Sequence, residues 1–353
     1  MRNKYKIGVI GATGMAGQQF MESLVNHPWF EIDSIFGHNS VGKKFGDSIR
    51  GLSNFNYPPE ILDLKVKDSK DIESNNIDIF FSAIPSNEAK EIEGKLAKTT
   101  PVISTASAYR YKDDVPIFLP IINGEHYKLL DVQKENRNWE GFIVPGPNCT
   151  TVGLCISLYP IYKKFGIKCV HMSSMQAISG AGYPGVPAYD IVANVIPHIA
   201  GEEEKVIIET KKILGTFQEK KIQPLDFQLD CKCNRVPSIN GHMENVFIET
   251  IRPFEKIQEI KDIWINFAGY TAEFDLPNSP RKPIRVFEDP YLPQPRINLQ
   301  NGRESGMTTY IGGIEKTVFK NGIKYTVLSH NTELGAGRGG VLSAEYLVAK
   351  GYI

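Results

Sequence analysis

Over the first 150 residues, short apolar runs alternate with stretches of helical spacing. Residues 5–10, 32–36, 77–84, 101–105 and 141–144 are compact hydrophobic segments of the kind buried on both faces of a sheet. Helices are predicted from the glycine-rich turn after residue 10 to about residue 26, and again from about residue 87. Such alternation predicts a doubly wound parallel sheet. At Cys149 a helical pattern opens (Leu154, Ile156, Leu158, Ile161). Beyond it the texture changes to longer β-type runs at 169–178, 246–251, 308–314 and 325–330, with helices predicted near 187–199 and 202–214. This predicts an α+β second domain with a mostly antiparallel sheet. The polar, Lys/Gln-rich stretch 216–230 reads as a surface excursion. The last segment, 339–353, is apolar at helical spacing (Val341, Leu342, Ala344, Leu347, Val348) and is expected to fold back on the first domain.

The first strand runs directly into Gly11-Ala12-Thr13-Gly14-Met15-Ala16-Gly17 and then a helix. Glycines three apart in a strand–turn–helix let the backbone approach a pyrophosphate and set it on the helix N-terminus. The spacing GxxGxxG is a variant of the usual fingerprint; without its position at the first βα turn it would be no more than a tight turn. After the second strand, where an NAD site usually places an acidic residue for the ribose 2′-hydroxyl, the chain offers Gly37-His38-Asn39-Ser40 and then Gly42-Lys43-Lys44. Ser40 and Lys43 suit a 2′-phosphate, so NADP is expected over NAD. Lys44 reads as an ordinary solvated charge.

Residues 145–151, PGPNCTT, carry the candidate nucleophile. A cysteine between a strand end and the first turn of a helix faces unpaired N–H groups and the positive end of the helix dipole. Both favour thiolate over thiol. Taken alone, the stretch leaves a buried structural cysteine equally open. In a doubly wound sheet ligands gather outside the carboxyl ends of the strands, which puts residues 82–86, Arg110 and Cys149 around one crevice. Further along, Gln176 ends a strand before a small-residue loop, where an amide could steer a carbonyl. Arg235 and His242 flank a Pro- and Gly-containing turn. If Gly241 turns the chain, a bidentate carboxylate clamp and a proton-handling imidazole converge on one pocket. His242 read singly remains open to a structural role.

Composition narrows the class. At 353 residues the chain can bury a large core and divide into two domains. Lys plus Arg and Asp plus Glu are 40 each, which gives no electrostatic support for binding nucleic acid or a membrane surface. No apolar run approaches the ~20 residues of a membrane span, and the polar start MRNKYK is not expected to serve as a secretion signal. Five cysteines without a paired framework suit a reducing, cytoplasmic setting. Cys231 and Cys233 lie too close for a CxxC hook, so no metal site is expected.

Taken together, GATGMAG (11–17), FSAIPS (81–86), STASAYR (104–110), PGPNCTT (145–151) and QAISGAGYPG (176–185) resemble the aspartate-β-semialdehyde dehydrogenases of the archaeal and fungal branch. The resemblance continues through EEEKVIIETKKIL (202–214), NRVPSINGHMENVFIE (234–249) and HNTELGAGRGG (330–340). It implies a Rossmann-type NADP-binding domain from 1–148 plus 331–353, and a catalytic and dimerisation domain from 149–330 in a homodimer or homotetramer. The implied reaction is the NADPH-dependent reductive dephosphorylation of aspartyl phosphate, on the route to lysine, methionine and threonine.

By the same resemblance Cys149 is the nucleophile, His242 the general acid/base and Gln176 the group that orients the acyl carbonyl. Backbone N–H groups near Asn148 and Cys149 would hold the oxyanion. Arg235 would clamp the α-carboxylate, Glu202 the α-ammonium, and Lys205 with Arg110 the phosphate. Gly11, Thr13, Gly14, Met15, Ser40, Lys43, Ser82, Ser179, Gly180 and Asn331 would contact the nucleotide. Glu202 and Lys205 also fit a plain surface ion pair on a helix.

The chain departs from the family pattern at 104–106 (Ser-Thr-Ala for Ser-Asn-Ala) and at 120–123, where a Glu usually follows the Pro. It departs again at Glu333 and Arg338, where a basic residue before the glycine and small residues after it are usual. The runner-up is malonyl-CoA reductase, with the same thioester chemistry on a different acyl group; Asn148 and Glu202 favour the amino-acid substrate. N-acetyl-γ-glutamyl-phosphate reductase would carry Gly before its cysteine. A non-catalytic NADP sensor would have no use for Cys149, Gln176, Arg235 and His242 together.

Overall fold

The computed structural model describes residues 4–50, 55–72, 76–299 and 306–353. Two six-stranded sheets share the work. The first is built from β1 (Tyr5–Ile10), β2 (Phe30–Gly37), β3 (Val66–Asp68), β4 (Ile79–Ser82), β5 (Val102–Ser104) and β6 (Ile143–Pro145). Every pair is parallel and the order is β3-β2-β1-β4-β5-β6. The order reverses beside β1, which places the expected ligand crevice at the carboxyl ends of β1 and β4. There Gly11 takes φ +76°, and a Cβ on it would lie 2.5 Å from the Ala83 carbonyl oxygen, so only glycine lets the two strand ends approach this closely.

Helix α1 (Met15–Leu24) follows the turn and buries Phe20, Met21 and Leu24. The C-terminal helix, Gly337–Ala349, packs on α1 and β5 as its apolar spacing predicts. Its one buried charge, Glu345, lies 2.8 Å from His27 Nε2 and accepts the Asn278 N–H at 3.0 Å. Both His27 and Glu345 are out of water, so the bond replaces the hydration they lose.

The second sheet takes β7 (Ile167–Gln176), β10 (Gln228–Arg235), β11 (His242–Thr250), β12 (Ile284–Val286), β13 (Thr309–Lys316) and β14 (Gly322–Ser329) in the order β10-β7-β11-β14-β13-β12. The three central pairings are antiparallel and the two outer ones parallel, a mixed sheet close to the antiparallel expectation. Between them in sequence, β8 (Thr216–Gln218) and β9 (Lys221–Gln223) form a separate hairpin. Helix Cys149–Phe165, almost wholly buried, packs on the second sheet and connects it to β6.

Two expectations need correction. Residues 187–199 are not a helix; only Ala188–Ile191 makes a helical turn. Pro187 and Pro197 bracket the run, and Pro197 biases Ile196 towards extended backbone. Ile196 then pairs with Arg235 in both directions, its N–H donating at 3.0 Å and its carbonyl accepting at 2.8 Å. Nor is 216–230 a featureless excursion. It holds the β8–β9 hairpin and the start of β10, whose polar residues face outward while Cys233 and Arg235 are buried.

Leu347, fully buried on the C-terminal helix, gives a test of that docking. Leu347→Ala should cost about 2–5 kcal/mol, the usual range for a buried leucine. Chemical denaturation followed by circular dichroism reads this directly; a loss below about 1 kcal/mol would mean the helix is only loosely attached.

Candidate active site

The nucleophile's position is set by a cap and two buried carboxylates. Asn148 caps the Cys149–Phe165 helix, its Oδ1 accepting the Thr150 N–H at 2.9 Å. Its Nδ2 donates to Glu202 Oε1 at 3.0 Å, and the same oxygen accepts the Thr150 hydroxyl at 3.0 Å. The Asn148 backbone N–H donates to Glu209 Oε2 at 2.6 Å, so it is not free for an oxyanion; the Cys149 N–H is the donor that remains. Glu209 is held in turn by the Arg110 guanidinium at 3.0 Å and the Tyr111 hydroxyl at 3.0 Å. Arg110 also donates to the Thr105 carbonyl at 2.8 Å and the Pro147 carbonyl at 3.2 Å. Its Nη1 and Nη2 thus brace the loop that presents Cys149, while its Nε is buried without a hydrogen-bond partner among the described residues.

From the second sheet, β11 begins at His242 just after Gly241 turns the chain, and β10 ends at Arg235. His242 Nε2 lies 3.2 Å from Cys149 Sγ, and His242 Nδ1 accepts the Ala177 N–H at 3.1 Å. Arg235 Nη1 donates to the Ala177 carbonyl at 2.7 Å. Gly180 fits between the two side chains: a Cβ there would stand 2.9 Å from Arg235 Nη1 and 3.1 Å from His242 Cε1. Gln176, at the end of β7, is buried with its amide donating to the Ser174 hydroxyl at 3.2 Å. Asn331 ties the two loops together. Its Oδ1 accepts the Gly241 N–H and its Nδ2 donates to Ser179 Oγ, both at 2.8 Å.

The remaining predicted residues separate into two groups. Gly11, Thr13, Gly14 and Met15 form the turn into α1, and Thr13 Oγ1 lies 3.5 Å from Ser40 Oγ. Lys43 is exposed beside them, while Lys44 pairs with Asp63 at 2.6 Å, as a surface charge should. Ser82 is fully buried at the end of β4, near Glu93. Lys205, half-buried one turn after Glu202, has an ammonium that meets no partner among the described residues. The departures Glu333 and Arg338 compensate each other as an ion pair at 2.7 Å.

Glu209, Tyr111 and Ala177 were not legible as site residues. Glu209 did leave a signal, a carboxylate in the buried stripe Val206, Glu209, Thr210, Ile213 of helix Glu202–Ile213. Ala177 acts through its backbone, which no side-chain pattern reveals.

Electrostatics overturn one expectation. Burial pushes the Cys149 thiol up to about 12, with Glu202 adding to it; Arg110, Arg235 and the Thr150 N–H pull the other way and lose. Desolvation of the anion thus favours the thiol at this half-buried sulfur and opposes the helix terminus. Burial likewise pushes His242 down to about 3, with Arg235 and then His330 adding to it.

Two family models match the chain: the semialdehyde dehydrogenase NAD binding domain over residues 6–130 and the semialdehyde dehydrogenase dimerisation domain over 158–333. The aspartate-semialdehyde dehydrogenase of Archaeoglobus fulgidus is 43% identical over 349 residues, 98% of each chain. The chain belongs to the aspartate-semialdehyde dehydrogenase family. The crystal structure of the Candida albicans family member with NADP superposes with a TM-score of 0.91 at 34% identity, covering 99% of this chain and 100% of that one. A malonyl CoA reductase (NADP) of Metallosphaera sedula is 35% identical, covering 100% of this chain and 99% of that protein. Family membership makes the chain an NAD(P)-dependent oxidoreductase of small molecules that forms oligomers. Among the described residues no helix is long and apolar enough to cross a membrane.

A resting thiol makes a measurable prediction. Alkylation of Cys149 by iodoacetamide should keep accelerating beyond about pH 9, because only the thiolate reacts. A plateau already reached near neutrality would mean a preformed thiolate.

Proposed function

We propose that the chain reduces β-aspartyl phosphate to aspartate β-semialdehyde with NADPH, releasing phosphate, in the aspartate-family route of amino-acid biosynthesis in the cytoplasm. One observation carries the assignment: a helix-terminal cysteine 3.2 Å from a buried imidazole, with a guanidinium beside them. Cys149 attacks the acyl carbon, the C–O bond to phosphate breaks, and a thioester forms. NADPH, when bound, supplies the hydride that reduces this thioester. The tetrahedral oxyanion so formed collapses to the aldehyde and expels the Cys149 sulfur. The Cys149 N–H and His242 Nε2 hold charge at the reacting atoms, and Gln176 orients the acyl oxygen. Arg235 grips the α-carboxylate. Glu202, with Asn148, takes the α-ammonium through the oxygen it does not already share with Thr150.

Lys205 is the phosphate ligand of choice, because its ammonium is uncommitted; Arg110 contributes by holding the Cys149 loop. The residues present fit NADP: the Gly11–Gly14 turn leaves room for a pyrophosphate, and Ser40 and Lys43 stand where a 2′-phosphate falls, with no carboxylate after β2 to repel it. Ser82, Ser179, Gly180 and Asn331 are assigned as further nucleotide contacts. We place the domain boundary at 148/149, with 331–353 returning to the nucleotide-binding half, and the assembly as a homodimer or a homotetramer. The test is phosphate-dependent NADP reduction with aspartate semialdehyde, run beside NADPH oxidation with malonyl-CoA. Activity in the first, lost in Cys149→Ala, supports the proposal; activity confined to malonyl-CoA overturns it in favour of the Metallosphaera sedula relative's reaction.

Clamp and proton-handling roles separate kinetically. Arg235→Lys keeps the charge and loses the fork, a contact of about 1.5–3 kcal/mol, so KM should rise markedly more than kcat falls. His242→Asn should depress kcat by about 10²–10⁴ with KM little changed. The reverse pattern would exchange the two roles.

Cofactor choice is tested at Ser40. Ser40→Asp sets a negative charge against the 2′-phosphate and should swing preference from NADP towards NAD, read as the ratio of kcat/KM values. Equal efficiency with both cofactors in the unmodified enzyme would contradict the reading.

A further inference from the structure

The helix Ser86–Leu96 buries a stripe of three residues, Ala89, Glu93 and Leu96, and the middle one carries a carboxyl. Glu93 is 1% exposed. A group so placed loses its hydration and needs partners from the protein. Ser104, the last residue of β5, supplies one: its hydroxyl donates to Glu93 Oε1 at 2.6 Å. The same Ser104 oxygen accepts the Ala106 N–H at 3.0 Å, so the carboxyl fixes the start of the loop that leads to Arg110. Ser82, paired in register with Ser104 at the end of β4, brings a fully buried hydroxyl near the same carboxyl. That hydroxyl meets no hydrogen-bond partner among the described residues.

Two further contacts join this loop to the same helix. Ser86 Oγ accepts the Ser107 N–H at 3.1 Å, and the Tyr109 hydroxyl donates to the Lys90 carbonyl at 2.7 Å. Gly94 makes room for that ring, since a Cβ there would stand 2.4 Å from the Tyr109 oxygen. Ser86, Lys90 and Glu93 are four and then three residues apart, so they lie along one face of the helix. Beyond Tyr109 the path continues to the nucleophile. Arg110 donates back to the Thr105 carbonyl through Nη2 and to Glu209 through Nη1, and Glu209 accepts the Asn148 N–H. Ser86 and Lys90 are exposed residues, whereas Glu93 is buried, where a lost hydrogen bond cannot be replaced by water.

We infer that Glu93 is a positioning residue: through Ser104 it sets the loop 104–110, and through Arg110 and Glu209 it sets the pose of Cys149. The role deepens the proposed reaction and rests on it only for the kinetic effect. The Ser104 bond asks for an acceptor oxygen, which the acid, its anion and a glutamine amide all provide. Burial pushes the carboxyl up to about 7, against the Ser104 and Ser82 hydroxyls and the Arg110 charge, and the bond survives in either protonation state. Alanine provides no acceptor, which leaves the Ser104 hydroxyl free to turn and the Ala106 N–H without a fixed partner.

The test is amide hydrogen exchange, read by mass spectrometry on the wild-type enzyme, Glu93→Ala and Glu93→Gln. Glu93→Ala should speed exchange about tenfold or more in the peptide covering 105–110 and in the one covering Asn148, with β1 and the mixed sheet unchanged. Glu93→Gln should restore both. Two segments far apart in sequence then respond together, which a general loosening of the fold would not produce. Should Glu93→Ala fail to fold, Ser104→Ala removes the same bond from the other side and should give the same pattern. Turnover should follow: kcat for phosphate-dependent NADP reduction falls about ten- to a hundredfold in Glu93→Ala, with KM for NADP changed less than about threefold. Unaltered exchange at Asn148, exchange raised throughout the fold, or Glu93→Gln behaving as Glu93→Ala would each overturn the inference. So would a kcat within about twofold of wild type in a variant whose loop is loosened. Absence of phosphate-dependent turnover in the wild-type enzyme would instead sink the proposed reaction, and the exchange pattern would still decide the role of Glu93.

Discussion

The contact between Cys149 and His242 is the constraint around which the molecule is arranged, because its two atoms come from different sheets. The sulfur sits where β6 of the parallel sheet gives way to a buried helix; the imidazole sits at the first residue of β11 in the mixed sheet. A separation of 3.2 Å survives only if both approaches are fixed. Asn148, Glu202 and Glu209 fix the first through the helix cap, and Arg110 fixes Glu209. Ala177 and Asn331 fix the second. Reactive groups need positioning to fractions of an ångström, and here it is supplied by hydrogen bonds to backbone, which tolerate little displacement.

These braces place charge where water cannot reach it. Glu209 is wholly buried and Arg110 nearly so, a pair whose desolvation is offset only by their mutual bonds and those to Tyr111, Asn148 and the Thr105 and Pro147 carbonyls. Removing one member of such a pair typically costs about 3–5 kcal/mol, because the other is left charged in the interior. The same dryness governs the chemistry. Burial raises the Cys149 thiol and lowers His242, so both groups are biased towards their neutral forms.

Much of this was legible in the amino-acid order. The strands of the parallel sheet, the helix opening at Cys149 and the docking of the C-terminal helix all follow from apolar spacing, because buried elements must carry it. Residues 187–199 misled because an apolar run has no fixed period: two prolines and the pairing of Ile196 with Arg235 made it extended. Strand β10 was obscured because its outer face is polar. At the site, residue types pointed to Cys149, His242 and Arg235, which the fold brings together, but not to what each side chain would touch. The helix dipole argued for a thiolate, and the burial that raises the thiol depends on how the two sheets pack around the loop, which the order of residues does not show. Nor did the order of residues show that the Nη groups of Arg110 would face Glu209 and two carbonyls.

The central claim is that this contact generates an acyl-enzyme on Cys149. Mixing the enzyme with β-aspartyl phosphate in the absence of NADPH, quenching in acid and mapping peptides by mass spectrometry tests it most directly. The account predicts an aspartyl adduct confined to the peptide bearing Cys149, formed in step with phosphate release. Phosphate release with Cys149 unmodified, or an adduct on another cysteine, would contradict it.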